Sequence, residues 1–436
     1  LLNSLNKSID TNTVTNVDIT NTNNFAIDLS PRTKIGDKYV IENLTGNGTI
    51  NVSRFNFVGL APIDRNIDFK VFDATNSTDS IDYAATNQKI FTPIGNYKLK
   101  AMGDGIYRAS LADYNPQVYR GQVATLAAYN NQLIVNDFLT NRFVLQSEQL
   151  IENTKNANKT SAVSPILAPY QNTIDDGSVW MRTYASFERL SMTHGLNVGN
   201  NTYGTIVGVD MPAKLLNKGW KFIPTVFLGY NGGNQYFNKV DMYQNGVQGG
   251  LMATFMKHQF ISSIMAYGGG YFNEMNVAGN TDRTGNWFAG AAAKIAYNLK
   301  ATKYFTIQPN VFVSYNIFGK QHWHTDYGVM SMNSGLLNGI NVAPGINFIY
   351  GRGTWSIYTT VQYMYNINDH IGGYAGNVNL PSISMRHGYI QYGFGATKLW
   401  KDRLNSYLQI TFRNGGRTGV GFQLGLRYMF EMKKHK

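Results

Sequence analysis

From Ser178 to Phe430 the chain repeats one pattern: segments of about ten residues alternate apolar and polar side chains and then break at Gly, Asn, Asp or Lys. A period of two puts the two classes on opposite faces of a strand. One segment sets Trp355, Ile357, Thr359, Val361, Tyr363, Tyr365 and Ile367 against Ser356, Tyr358, Thr360, Gln362, Met364 and Asn366. Another sets Phe305, Ile307, Val311, Val313, Tyr315 and Ile317 against Thr306, Gln308, Asn310, Ser314 and Asn316. A soluble sandwich buries the apolar face and covers the other with charge. Here the second face is Ser, Thr, Asn and Gln, which suits the wet lumen of a membrane barrel whose apolar face meets lipid. Charged residues make up only 15% of the chain, which fits the same reading.

Strands are expected at 178–190, 200–214, 220–237, 240–256, 259–275, 285–299, 304–319, 338–352, 354–368, 385–400, 403–414 and 418–430. That makes twelve, an even number as closed bacterial barrels require. The 28 Tyr and 24 Phe would serve as interfacial girdles. No apolar run approaches the roughly 18 to 20 residues of a spanning helix, which excludes a helical membrane protein. No signal peptide opens the chain, and the Leu1 start suggests a fragment or a processed product. With no Cys, disulfides and thiolate chemistry are excluded. The net charge of +12 reads as thinly spread, with no dense aromatic-interleaved patch, so no nucleic acid is expected as a partner.

Two regions precede the alternating one. Residues 1–111 are polar and rich in Asn and Thr, with short strands at Lys38–Glu42 and Thr49–Val52 and a turn at Gly46-Asn47-Gly48. They read as a β-solenoid or small β-domain without a strict repeat. Tyr97–Ala101 and Gly105–Ala109 flank Gly103-Asp104-Gly105 as a hairpin. Between Gln117 and Val144, Val118, Val123, Leu126, Ala127, Leu133, Ile134, Phe138 and Leu139 recur at three- and four-residue spacings, which predicts a helix. Residues 152–177, with Pro165 and Pro169, read as a linker. The expected parts are thus 1–111, 112–177, a barrel at 178–430 and a charged tail at 431–436.

The closing segment Gly421-Phe422-Gln423-Leu424-Gly425-Leu426-Arg427-Tyr428-Met429-Phe430 is similar to the last strand of the autotransporter translocation domain, the twelve-stranded barrel of type V secretion. So are Trp180-Met181-Arg182 at the barrel's start and Tyr203–Asp210, which matches that family's Gly-x-x-x-Gly-x-Asp second strand at Gly204, Gly208 and Asp210. Tyr114–Arg120 followed by a helix resembles the family's junction after its passenger. The resemblance implies an outer-membrane barrel that delivers its own N-terminal passenger to the cell surface. Residues 150–177 would thread the pore, and 1–111 would be the end of the passenger. It implies that Phe422, Leu424, Leu426, Tyr428 and Phe430 form a strand edge read by the barrel assembly machinery, and that the passenger meets a host-surface ligand as an adhesin or virulence factor. The family usually ends at the terminal aromatic, whereas this chain continues as Glu431–Lys436.

No active site is expected, and neither cofactor nor metal. His322-x-His324-x-Asp326 could offer metal ligands on an extended segment, but it reads as a solvated loop. Ser191, His194 and Asp210 are a scattered set with no mutual spacing that marks a nucleophile and its base. Asn172 is a candidate for passenger self-cleavage only through the family resemblance. Arg182, Arg413 and Arg427 fall on lumen faces, where they would line the pore, touch acids of a plugging helix, or satisfy wall carboxylates. The rival reading is an outer-membrane porin with a periplasmic N-terminal domain.

Overall fold

The computed structural model describes residues 2–3, 5–77, 80–144, 177–325, 329–352, 354–400 and 403–430. It comprises two compact units: Leu1–Arg120 with His322–Asn333 and Gly373–Pro381, and the remainder from Gly121 onward.

In the first unit, Thr11–Ile19, Lys38–Gly46 and Phe72–Ser77 pair in parallel, as do Thr22–Ser30, Thr49–Phe57 and Asp82–Ala85. These are the rungs of a β-solenoid. Asn16, Asn43 and Asn76 stack in one column, with Asn43 Nδ2 and Asn76 Nδ2 each donating across 2.9 Å to the preceding amide oxygen. The rungs are 27 and then 33 residues apart along that column, so no constant period is present in the sequence. Inside, Tyr39 stacks on Phe72 and Phe25 meets both edge-on, with ring centroids 4.9 to 5.3 Å apart. An antiparallel sheet of Lys89–Phe91, Gly95–Gly103, Ile106–Tyr114 and Asn66–Lys70 closes this core with Tyr97 and Tyr107, both fully buried. The expected hairpin is its centre, and it turns at Asp104 and Gly105 with φ of 49° and 69°. Gly105 is required there, since a Cβ would lie 2.0 Å from the Phe72 carbonyl oxygen. The two segments from later in the chain join this unit through hydrogen bonds that reach backbone carbonyls: Asn377 N donates to Ile63 O at 2.8 Å, and the Arg32 side chain, through Nη2, to Val329 O at 3.1 Å.

Asp28 is buried in this unit and accepts the backbone N–H groups of Asn6 (2.9 Å) and Lys7 (2.7 Å), while Asp37 accepts those of Asp10 and Asp28 itself. Burial, and secondarily the neighbouring Asp37 charge, raise the Asp28 carboxyl above its ordinary value. The folded form therefore holds the Asp28 proton more tightly than the unfolded chain does, and this site contributes stability as pH falls toward 3.8 and loses it as pH rises. Asp28→Asn keeps an oxygen for the two N–H groups and removes the buried charge. Pulse proteolysis in urea should show a higher midpoint for the first unit at pH 7 and a smaller gain on acidification. An unchanged pH response would refute the assignment.

The second unit is a closed barrel of twelve antiparallel strands: Gly177–Ser191, Asn197–Asp210, Lys221–Phe237, Val240–Lys257, Phe260–Val277, Asn280–Tyr297, Phe305–Phe318, Leu337–Arg352, Trp355–Asn368, Tyr389–Trp400, Leu404–Gly415 and Arg417–Phe430. The ring closes because the last strand pairs with the first, from Gly177↔Phe430 to Leu190↔Arg417. All twelve expected strands are present, and the second begins and ends a few residues earlier than read. Exposure alternates along them as the sequence pattern requires. Leu228, Leu251 and Phe272 are 65%, 64% and 75% exposed on the outside, whereas their inward neighbours Phe227, Met252 and Asn273 are buried. Short connections, such as the turn at 258–259, join the strands at one end. The connections 319–336 and 369–388 leave from the other.

Candidate functional site: the filled pore

Asn115 caps a short 3-10 turn at Pro116–Tyr119, its side-chain oxygen accepting Gln117 N at 3.1 Å, and the α-helix Arg120–Val144 follows. From Gly121 on, this helix lies inside the barrel. A helix buried on all sides is expected to be apolar all round, yet Gln122, Thr125, Asn130, Gln132, Asn136 and Asp137 are buried beside Leu126, Leu133 and Phe138. Its surroundings explain the mixture, because the wall around it is the polar face of the strands. Buried polar groups must find partners, and here they find them on the wall.

The contacts run the whole length of the pore. At the long-loop end Gln122 Nε2 donates to Ile371 O at 3.0 Å, Gln244 Nε2 to Ala124 O at 2.8 Å, and Gln321 Nε2 to Thr125 Oγ1 at 2.6 Å. Tyr129 passes so close to the wall that a Cβ on Gly339 would lie 2.3 Å from its ring. In the middle, Gln132 Nε2 donates to Gln248 Oε1 at 2.8 Å and Asn136 Nδ2 to Tyr267 Oη at 2.5 Å. Asp137 accepts from Lys294 Nζ at 2.9 Å and Gln391 Nε2 at 3.2 Å. At the short-turn end Gln308 Nε2 donates to Val144 O at 2.9 Å, and Phe143 and Val144 pack on Ile223, Met256 and Ile261.

Two carboxylates of the wall organise the charge. Asp210 accepts Arg142 of the helix at 2.5 Å, Ser178 at 2.6 Å, Thr225 at 2.7 Å, Trp180 at 3.2 Å, and Arg427 lies 3.3 Å away. Glu188 accepts Arg413 at 2.5 Å and Arg417, whose Nη1 also donates to the helix carbonyl of Asn130 at 2.6 Å. The Glu188, Arg417 and Asp210 side chains are 0% exposed. Of the three roles open to the lumen arginines, Arg413 and Arg427 take the pairing with wall carboxylates. Arg182 instead donates to Phe138 O at 2.9 Å and lies between the Phe138 and Tyr407 rings.

Gly204 and Gly208 sit on the inner face, where a Cβ would be 2.5 Å from Tyr184 Oη and 2.3 Å from the Trp180 ring respectively; the two aromatics lie across the bare backbone. Phe422, Leu424, Leu426 and Tyr428 point outward and are exposed, with Phe430 half-buried at the end. In the closed barrel the edge of this last strand is paired along its length with the first strand. Ser191 and Asp210 stand at opposite ends of one strand pair, and His194 contacts Ser382 O at 3.1 Å near the Ser191 end. They form no joint site. His322 and His324 are exposed on the strand Gln321–Thr325 with ring centroids 5.5 Å apart, while Asp326 lies outside the described residues, as do Asn172, residues 150–176 expected to thread the pore, and the tail 431–436. Among the described residues no group of three or more His, Asp or Glu is placed to hold a metal. Glu188, Asp137, Lys294 and Arg417 were missed in the sequence, although Glu188 shares the inward register of Trp180, Arg182 and Tyr184.

No protein-family model and no curated protein matches the sequence. Solved structures do match: the translocator domain of the autotransporter NalP from Neisseria meningitidis aligns with a TM-score of 0.54 at 11% identity, covering 72% of this chain and all of that one. The chain has the autotransporter translocator fold. Also similar are the transport unit of AIDA-I from Escherichia coli, with 12% identity, 65% and 99% coverage and a TM-score of 0.49, and the β domain of the Bordetella autotransporter BrkA, with 14%, 59%, 100% and 0.48. In this translocator fold the resident of the pore is the helix Arg120–Val144.

Proposed function

We propose that the chain is an outer-membrane translocator that delivers its own N-terminal part to the cell surface and anchors it there. One observation carries this reading: an apolar-faced barrel encloses a helix of its own chain, running from the long-loop end at Gln122 to the short-turn end at Val144. In outer-membrane barrels long loops face outward and short turns face the periplasm. The residues before Gly121 then leave on the outside. On the same reading, the outward aromatics of the last strand are what the barrel assembly machinery reads before closure, and the exposed N-terminal unit is the end of a surface passenger that meets a host ligand. A porin would instead need a free lumen, and this one is lined throughout by contacts to the helix.

The test is protease added to intact cells, with a periplasmic protein as lysis control. Digestion of residues 1–111 in sealed cells is expected. Protection until the outer membrane is opened would sink the reading.

A further inference from the structure

Topology gathers at one rim basic residues that are scattered in the sequence. The turn 211–220 carries Lys214 and Lys218, and the next turn is flanked by Lys257. The connection 298–304 carries Lys300 and Lys303, Arg352 ends the eighth strand, and Lys398 and Arg403 flank the last short turn. Lys214, Lys218, Lys300, Lys303, Arg352 and Arg403 are all exposed. Across 211–224, 253–263, 295–307, 346–358 and 396–408 the sequence has a single acid, Asp402, which lies outside the described residues. The opposite rim is mixed, with Asp241, Glu274 and Arg283 near its tight turns.

The cations stand beside aromatic side chains at the edge of the apolar band. Lys257 Nζ is 5.7 Å from the Trp220 ring, Lys303 Nζ 5.4 Å from Tyr304, and Lys398 Nζ 5.6 Å from Trp400. Trp400, Tyr304 and Leu299 are 52%, 40% and 49% exposed, so the apolar surface continues up to the charges. Aromatic rings settle at headgroup depth, and lysine stems reach along apolar surface to place the charge there. An acidic soluble protein would need charge facing away from the bilayer; these charges are set at its edge.

We propose that this rim binds the phosphate headgroups of anionic phospholipids in the leaflet it faces. The proposal rests on the barrel being membrane-embedded, as argued above. The full chain, extracted from cell membranes in mild detergent, is analysed by mass spectrometry for bound phospholipid. Anionic lipid should be enriched roughly five-fold or more over the membrane's own ratio. The variant Lys214→Gln/Lys218→Gln/Lys300→Gln/Lys303→Gln/Arg352→Gln should return to the membrane ratio, and the opposite-rim variant Lys239→Gln/Arg283→Gln should keep the enrichment. A membrane ratio in the unaltered chain, or enrichment untouched by the five substitutions, overturns the proposal. Displacement of the lipid by inorganic phosphate alone also overturns it, by making the rim a free-anion site. Should the variant not fold, the unaltered chain in nanodiscs decides: its unfolding temperature should rise when phosphatidylglycerol is added to phosphatidylethanolamine and fall back in high salt, and no rise overturns the proposal. Failure of the unaltered chain to sediment with membranes would instead strike at the outer-membrane reading.

Discussion

Glu188→Gln should be the most damaging single substitution in the barrel wall, costing about 3–5 kcal/mol, the usual result of removing one partner from a buried ion pair. Gln keeps an acceptor of nearly the same shape, so the loss isolates charge from packing. It leaves Arg413 and Arg417 facing each other in a lumen where both are at most 2% exposed, with the helix carbonyl of Asn130 as a remaining acceptor for Arg417. Replacing the whole group as Glu188→Leu/Arg413→Met/Arg417→Met removes the three charges together, and most of the lost stability should return. Urea unfolding in micelles, read by the heat-dependent mobility of the barrel on gels, measures both. A Glu188→Gln barrel as stable as the original, or a triple variant worse than the single one, would show that packing rather than charge governs this site.

The second large effect concerns conduction. Deleting residues 121–144 removes every contact described between helix and wall, and water takes their place because the groups left behind are polar. A planar bilayer holding the intact protein should carry almost no current, and the deletion should give a steady open pore. Its selectivity follows from the wall. Arg182, Lys294, Arg413, Arg417 and Arg427 face inward, against Glu188, Asp210 and Asp282. This excess of positive charge should favour anions over cations. Equal conductance with and without the helix would mean that the helix does not occupy the pore in the membrane, and cation preference would contradict the charge inventory.

What could be read from the sequence, and what could not, divides along physical lines. The strands were legible because burial on one face only imposes a period of two, and the lipid side of Trp355–Ile367 shows it directly. The helix was legible from Val123, Leu126, Leu133 and Phe138. A plugging helix was expected only through the family resemblance; the residues themselves did not place it in the pore, because Asn130, Gln132 and Asn136 look solvent-facing until the wall opposite them is known to be polar as well. The parallel rungs escaped for another reason: pairing of Asn16 with Asn43 and of Asn43 with Asn76 depends on loops of unequal length, which erase any period. The basic rim escaped because Lys218, Lys303 and Arg352 are far apart in sequence and become neighbours only when the sheet closes. Charge in the pore follows the same rule, with Arg417 reaching Glu188 across 229 positions.

The two wall carboxylates both touch the line where the sheet's first and last strands meet. Ser178 and Glu188 belong to the first strand, Arg417 and Arg427 to the last, and the helix supplies Arg142 and the Asn130 carbonyl to the same clusters. Closing the cylinder and holding its contents are therefore linked equilibria: whatever favours one favours the other by the same free energy. A sheet curling around nothing lacks part of what fastens its ends, and a helix offered to an unclosed sheet lacks the clusters that only the closed seam assembles. The finished molecule is a thread passing through a ring knotted from the same string, and the knot holds best when the thread is already in place.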